Sequence, residues 1–74
     1  MKALLHDSEE DAFLLIDVCE MTYRRGDREL CVSSPLDDYI ISDMSEATAM
    51  GLLSALYENE RINLIQFDAY REEP

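Results

Sequence analysis

The chain has 74 residues, of which 17 are Asp or Glu and 6 are Lys or Arg, so its formal charge is -11. A chain of that size fits one domain, which buries only about 60% of its unfolded surface and keeps a thin stability margin. The charge excludes direct binding to nucleic acid or anionic lipid and attracts basic proteins, while a hydrophobic content of 47% excludes a disordered acidic tail.

Lys2 to Leu5, KALL, reads as a short first strand. Its apolar patch is too short for a signal or transit peptide, and no run approaches the ~20 residues needed to span a bilayer, so the expected location is the cytoplasm. The stretch HDSEEDAFLLIDVCEMTYRRG then carries every boundary signal of a helix. Ser8 can cap it, Asp11 can close a capping box, Gly26 can take a left-handed C′ position, and acids and arginines complement the macrodipole at opposite ends. These signals predict a helix from about Glu9 to Arg25. The competing arrangement makes Phe13 to Tyr23 one arm of a hairpin turning at Arg25-Gly26-Asp27. Periodicity argues against it, because Ala12, Leu15, Ile16, Cys19 and Tyr23 share a helical face, whereas strand alternation groups Asp17 with Phe13 and Leu15.

Arg28 to Ser34 reads as a strand, Ser34 to Asp38 as a turn punctuated by Pro35, and Tyr39 to Ser42 as a second short strand. Ser45 caps a helix from Glu46 to Glu58, with Ala49, Met50, Leu53, Leu56 and Tyr57 as its core stripe. Arg61 to Tyr70 alternates as a last strand, and residues 71–74 form a flexible acidic tail after a single domain over 1–70. Shifting the sequence by 37 residues lays KALLHDSE over YIISDMSE and aligns Ser8 with Ser45 and Ala12 with Ala49. Each half reads strand, helix, strand. The expected fold is therefore α+β: a two-layer βαββαβ, ferredoxin-like split βαβ arrangement, with two helices on one face of a four-stranded antiparallel sheet. Without the first strand it becomes an αββαβ variant.

Little in the chain carries chemistry. His6 with Asp7, Glu9 and Glu10 diverges at the mouth of the expected helix, and Asp37, Asp38, Asp43 and Glu46 lack the pattern of a calcium loop, so no metal is expected. No nucleophile has a plausible base, and Gly26 and Gly51 make no phosphate loop. No catalytic residue and no cofactor are expected. Cys19 and Cys31 are expected as buried free thiols.

Interaction surfaces are the more informative features. Leu14, Val18 and Met21 would lie on the back of the first helix, where a lone domain shows charge, and Ala47, Gly51 and Ala55 repeat at four-residue spacing on the second. These six are the expected apolar partner or homodimer contacts. Glu9, Glu10, Asp11, Asp37, Asp38 and Asp43 are the expected acidic ones. Together they point to a small inhibitor or adaptor that docks on a basic, nucleic-acid-binding protein, in its sharpest form a phage-type anti-CRISPR or DNA mimic. The alternative is a dimeric ligand-sensing domain without catalytic activity.

Overall fold

The computed structural model describes residues 1–58 and 61–72 and is mostly β. Strands β1 (Lys2–Asp7), β2 (Ala12–Asp17), β3 (Glu20–Arg24), β4 (Glu29–Ser33) and β5 (Asp38–Ile41) precede helix α1 (Glu46–Tyr57) and strand β6 (Ile62–Arg71). All six strands form one sheet in the order β2-β1-β6-β5-β4-β3, with β1 and β6 parallel and the other neighbours antiparallel. The expected four-stranded antiparallel sheet with two helices is therefore incorrect, as is its αββαβ variant.

The first expected helix is two strands. Burial alternates along β2, with Ala12, Leu14 and Ile16 turned inward and Phe13, Leu15 and Asp17 exposed. Asp17 does share a face with Phe13 and Leu15, the grouping that argued against a strand, because those two apolar side chains lie outside the core. The helix-start signals belong to a turn. Asp7 is 1% exposed, and its Oδ1 accepts the N–H groups of Glu9 at 3.0 Å and Glu10 at 3.3 Å. This is the side-chain-to-backbone bonding of a cap, supplied one residue before Ser8 and spent on a turn. Asp11, with φ 50, takes a left-handed conformation that a helix interior does not allow. At the β3–β4 turn Arg28, with φ 55, holds the left-handed position expected of Gly26.

The sheet must be rolled. β2 and β3 stand at opposite ends of the strand order, yet only Val18 and Cys19 join them. That link reaches about 11 Å, whereas the outer strands of a flat six-stranded sheet lie about 24 Å apart. The chain turns a corner at buried Val18, where Cys19 N–H donates to the Ser33 carbonyl at 2.8 Å. Inside the roll, Ala3, Leu5, Met21, Leu30, Val32, Tyr39, Ile41, Ile62, Leu64 and Ala69 form the core with Met44 and Ala49.

Helix α1 begins where the sequence predicts, with the Ser45 side chain accepting the Thr48 N–H at 3.2 Å. It packs against β3 and β6 and buries Ala49, with Leu52, Leu53, Ala55 and Leu56 against the core. Strand β6 contains an irregularity: Leu5 pairs with Leu64 but His6 with Asp68. Its inward positions change from Ile62 and Leu64 to Phe67 and Ala69, which carries Arg71 inward at its end. Arg71 pairs with Tyr39, and Glu72 N–H donates to the Asp38 carbonyl at 2.8 Å. Of the expected tail, residues 73 and 74 lie outside the described residues. No described helix is long and apolar enough to cross a membrane.

Candidate functional site

Rolling the sheet brings β2 beside the β4–β5 turn and leaves a cleft between them. Two adjoining hollows, of about 300 and about 240 Å³, share Leu15, Ile16, Ser34 and Leu36. Leu14 and Tyr39 extend the apolar lining of the larger one, and Pro35 that of the smaller. Glu10, Asp37 and Arg71 border the first hollow and Asp17 the second.

The turn that forms one wall is fixed by its own hydrogen bonds. Ser34 N–H donates to the Asp37 carbonyl at 3.0 Å, Ser34 Oγ–H donates to the same oxygen at 2.6 Å, and Asp37 N–H donates back to Ser34 Oγ at 3.1 Å. Leu36 is held at the tip and is 92% exposed. Leu15, which lines the same hollows, is 52% and neighbouring Phe13 68% exposed. Scattered exposed leucines need no explanation, but exposed aliphatic residues that line one concave surface mark a place where another molecule can bury them.

Carboxylates surround this cleft. Glu9, Glu10 and Asp11 occupy the β1–β2 turn, and Asp37 and Asp38 lead into β5. Glu20 pairs with Ser33 and Ser33 with Asp38, whose carbonyl holds Glu72 N–H, so Glu20, Asp38 and Glu72 fall in one row across β3 to β6. Two cations answer them. Arg71 lies 3.9 Å from Glu10, and Lys2 pairs with Asp17. The Lys2 hydrogen bond and charge hold the Asp17 carboxyl below its ordinary value. Burial raises the Tyr39 hydroxyl above its ordinary value, and the nearby Asp37 and Asp7 charges push the same way. The β3–β4 turn and its surroundings are mixed instead, with Arg24, Arg25 and Arg28 among Asp27, Glu29, Asp43 and Glu46.

Of the acidic residues expected from sequence, Glu10 and Asp37 line the cleft, Glu9, Asp11 and Asp38 flank it, and Asp43 lies apart, next to Met44, whose N–H donates to the Arg28 carbonyl at 3.0 Å. Of the apolar ones, Leu14 lines the cleft, while Val18 and Met21 are core residues. The stripe on α1 is not one surface: Ala47 and Gly51 are exposed, and Ala55 packs on the core. Sequence reasoning missed Leu15, Leu36, Tyr39 and Arg71. Leu36 did carry a signal, an isolated leucine between Pro35 and two aspartates in a turn.

His6 Nε2 donates to Asp11 Oδ1 at 2.8 Å, with its ring centroid 5.0 Å from that of Phe13, so the lone histidine braces the turn. No group of three or more His, Cys, Asp or Glu side chains suited to a metal ion occurs among the described residues. Both cysteines are free; Cys19 is exposed, not buried, and Cys31 is half-buried. Comparison with known proteins returns no matching family model, no similar curated protein and no similar solved structure.

Proposed function

We propose that the protein is a small interaction domain, an inhibitor or adaptor, that docks its acidic cleft on a basic surface of a partner protein. The observation that supports this is the exposed pair Leu15 and Leu36 lining one cleft bordered by Glu10, Asp17 and Asp37, on a chain of net charge -11. An apolar centre with a charged rim is the layout of a protein interface: the centre supplies burial, and the rim supplies steering and orientation. A surface of this sign matches the basic grooves of nucleic-acid-binding proteins, which evolved to meet phosphate.

The test is binding to a purified basic nucleic-acid-binding protein at about 50 and about 500 mM salt, since screening lengths shrink several-fold over that range. At least tenfold tighter binding is expected at low salt. Asp37→Asn with Asp38→Asn is expected to weaken binding far more than Asp27→Asn with Asp43→Asn, which removes the same charge elsewhere. Salt-independent binding, or equal losses in the two double variants, would refute docking at the cleft.

A further inference from the structure

We propose that β2 accepts an extended segment of the basic partner as an added strand, placed beside the cleft. The inference rests on the docking function above and specifies how the partner is held.

The register of the β1–β2 hairpin determines which backbone groups are free to pair. Val18 N–H donates to the Met1 carbonyl at 2.8 Å, and the pairing runs without a shift from Lys2 opposite Asp17 to Asp7 opposite Ala12. Antiparallel ladders alternate hydrogen-bonded and non-bonded pairs. Ile16, Leu14 and Ala12 therefore turn their N–H and C=O groups toward β1, and Phe13, Leu15 and Asp17 turn theirs away from it. Among the described residues no strand pairs with that side, because β2 ends the sheet.

Natural sheets blunt such an edge with proline, a bulge or an inward charge. β2 has none of these within Ala12–Asp17, and its outward side chains include the exposed Phe13 and Leu15. Its six residues offer about 20 Å of edge, enough for a segment of similar length. Alternate side chains of an added strand would lie beside Leu14 and Ile16 on one face of the sheet, or beside Phe13 and Leu15 on the other. Glu10 and Asp11 stand at one end of the edge and Asp17 at the other, so the preferred strand is cationic with alternating apolar residues.

A second copy of this chain fits poorly. Antiparallel pairing of two β2 strands would bring Asp17 of each copy toward Glu10 and Asp11 of the other, between bodies that each carry -11.

The probe is a synthetic eight-residue peptide alternating Lys and Val, compared with the same peptide methylated at every backbone nitrogen, which has the same charge but cannot donate a backbone hydrogen bond from either edge. The unmodified Lys-Val peptide is expected to slow amide hydrogen exchange at Phe13, Leu15 and Asp17 at least tenfold, and the methylated peptide is expected not to. Leu15→Pro should fold, since the N–H it loses faces away from β1, yet bind the Lys-Val peptide at least tenfold more weakly than Leu15→Ala. Leu14→Pro, whose N–H faces Leu5, should lose the hairpin. Equal binding of the two peptides, or no protection of the three amides, would overturn strand addition. If salt-dependent docking on the basic protein survives such a result, only the strand is lost. If that docking is absent too, the underlying function falls with it. Concentration-dependent self-association that protects the same amides would overturn the choice of occupant.

Discussion

The strands at the two margins of the sheet, β2 and β3, come from one stretch of chain interrupted only by Val18 and Cys19, yet one margin is open and the other is guarded. β3 presents Glu20, Thr22 and Arg24 at its exposed positions and lies against α1. Tyr23 O–H donates to the Met44 carbonyl at 2.7 Å, and Arg25 reaches Glu46 at 2.7 Å. β2 exposes Phe13 and Leu15 and is bordered by acids at both ends. Polar side chains and a covering helix discourage pairing with any strand. Flanking acids discourage chiefly an acidic one. On the proposed reading, this edge is protected by charge from copies of itself and left accessible to a basic partner.

The largest effect is expected where the guarded edge is anchored. Met44 is 1% exposed and connects β5 to α1, so Met44→Ala should cost about 2 to 5 kcal/mol from the cavity and lost burial. Urea denaturation measures it. A loss below about 1 kcal/mol would mean that α1 is not anchored to the core through this residue. Tyr23→Phe keeps the ring and removes the hydrogen bond to Met44, leaving that carbonyl unpaired by the hydroxyl, and should cost about 1 kcal/mol. If the cost is no larger than that of an ordinary surface change, the covering of β3 by α1 is looser than its contacts suggest.

Most element positions were legible in the sequence. β1, β4, β5, α1 and β6 lie within a residue or two of the patterns that predicted them, because each is bounded by a turn residue, a proline or a cap. Residues 9–25 were misread for a specific reason. An inside–outside alternation can be recognised when apolar side chains coincide with burial, but at Phe13 and Leu15 they do not, and the corner at Val18 and Cys19 breaks the period between β2 and β3. The repeat shared by the two halves also misled. Ser45 caps a helix, whereas the Ser8 hydroxyl has no hydrogen-bond partner among the described residues and Asp7 organises its turn. The cleft was legible only as charge. Its geometry depends on the order of strands in the roll, which local patterns do not encode, so Glu10 and Asp37 were found while Tyr39 and Arg71 were not.

The smallest effect concerns the floor of the cleft beside the open edge. Tyr39 is raised by burial and then by Asp37 and Asp7, partly offset by Arg71; Cys31, on the outer face of β4, is raised by burial and partly offset by Arg24. Both groups are neutral when protonated. With folded-state values above the unfolded ones, the unfolded chain loses these protons first as pH rises. Their contribution to stability is complete below the ordinary values of 9.0 for Cys31 and 10.0 for Tyr39, and is lost as pH climbs through the higher folded-state values. Urea midpoints should therefore decline gradually above about pH 9, and the decline should be shallower in both Cys31→Ser and Tyr39→Phe. The two variants separate the regions. If Cys31→Ser removes the whole slope and Tyr39→Phe changes nothing, water reaches the Tyr39 hydroxyl as easily as in the unfolded chain. The cleft would then be open to its floor, and the apolar centre proposed for docking would reduce to Leu14, Leu15, Ile16 and Leu36 at its walls.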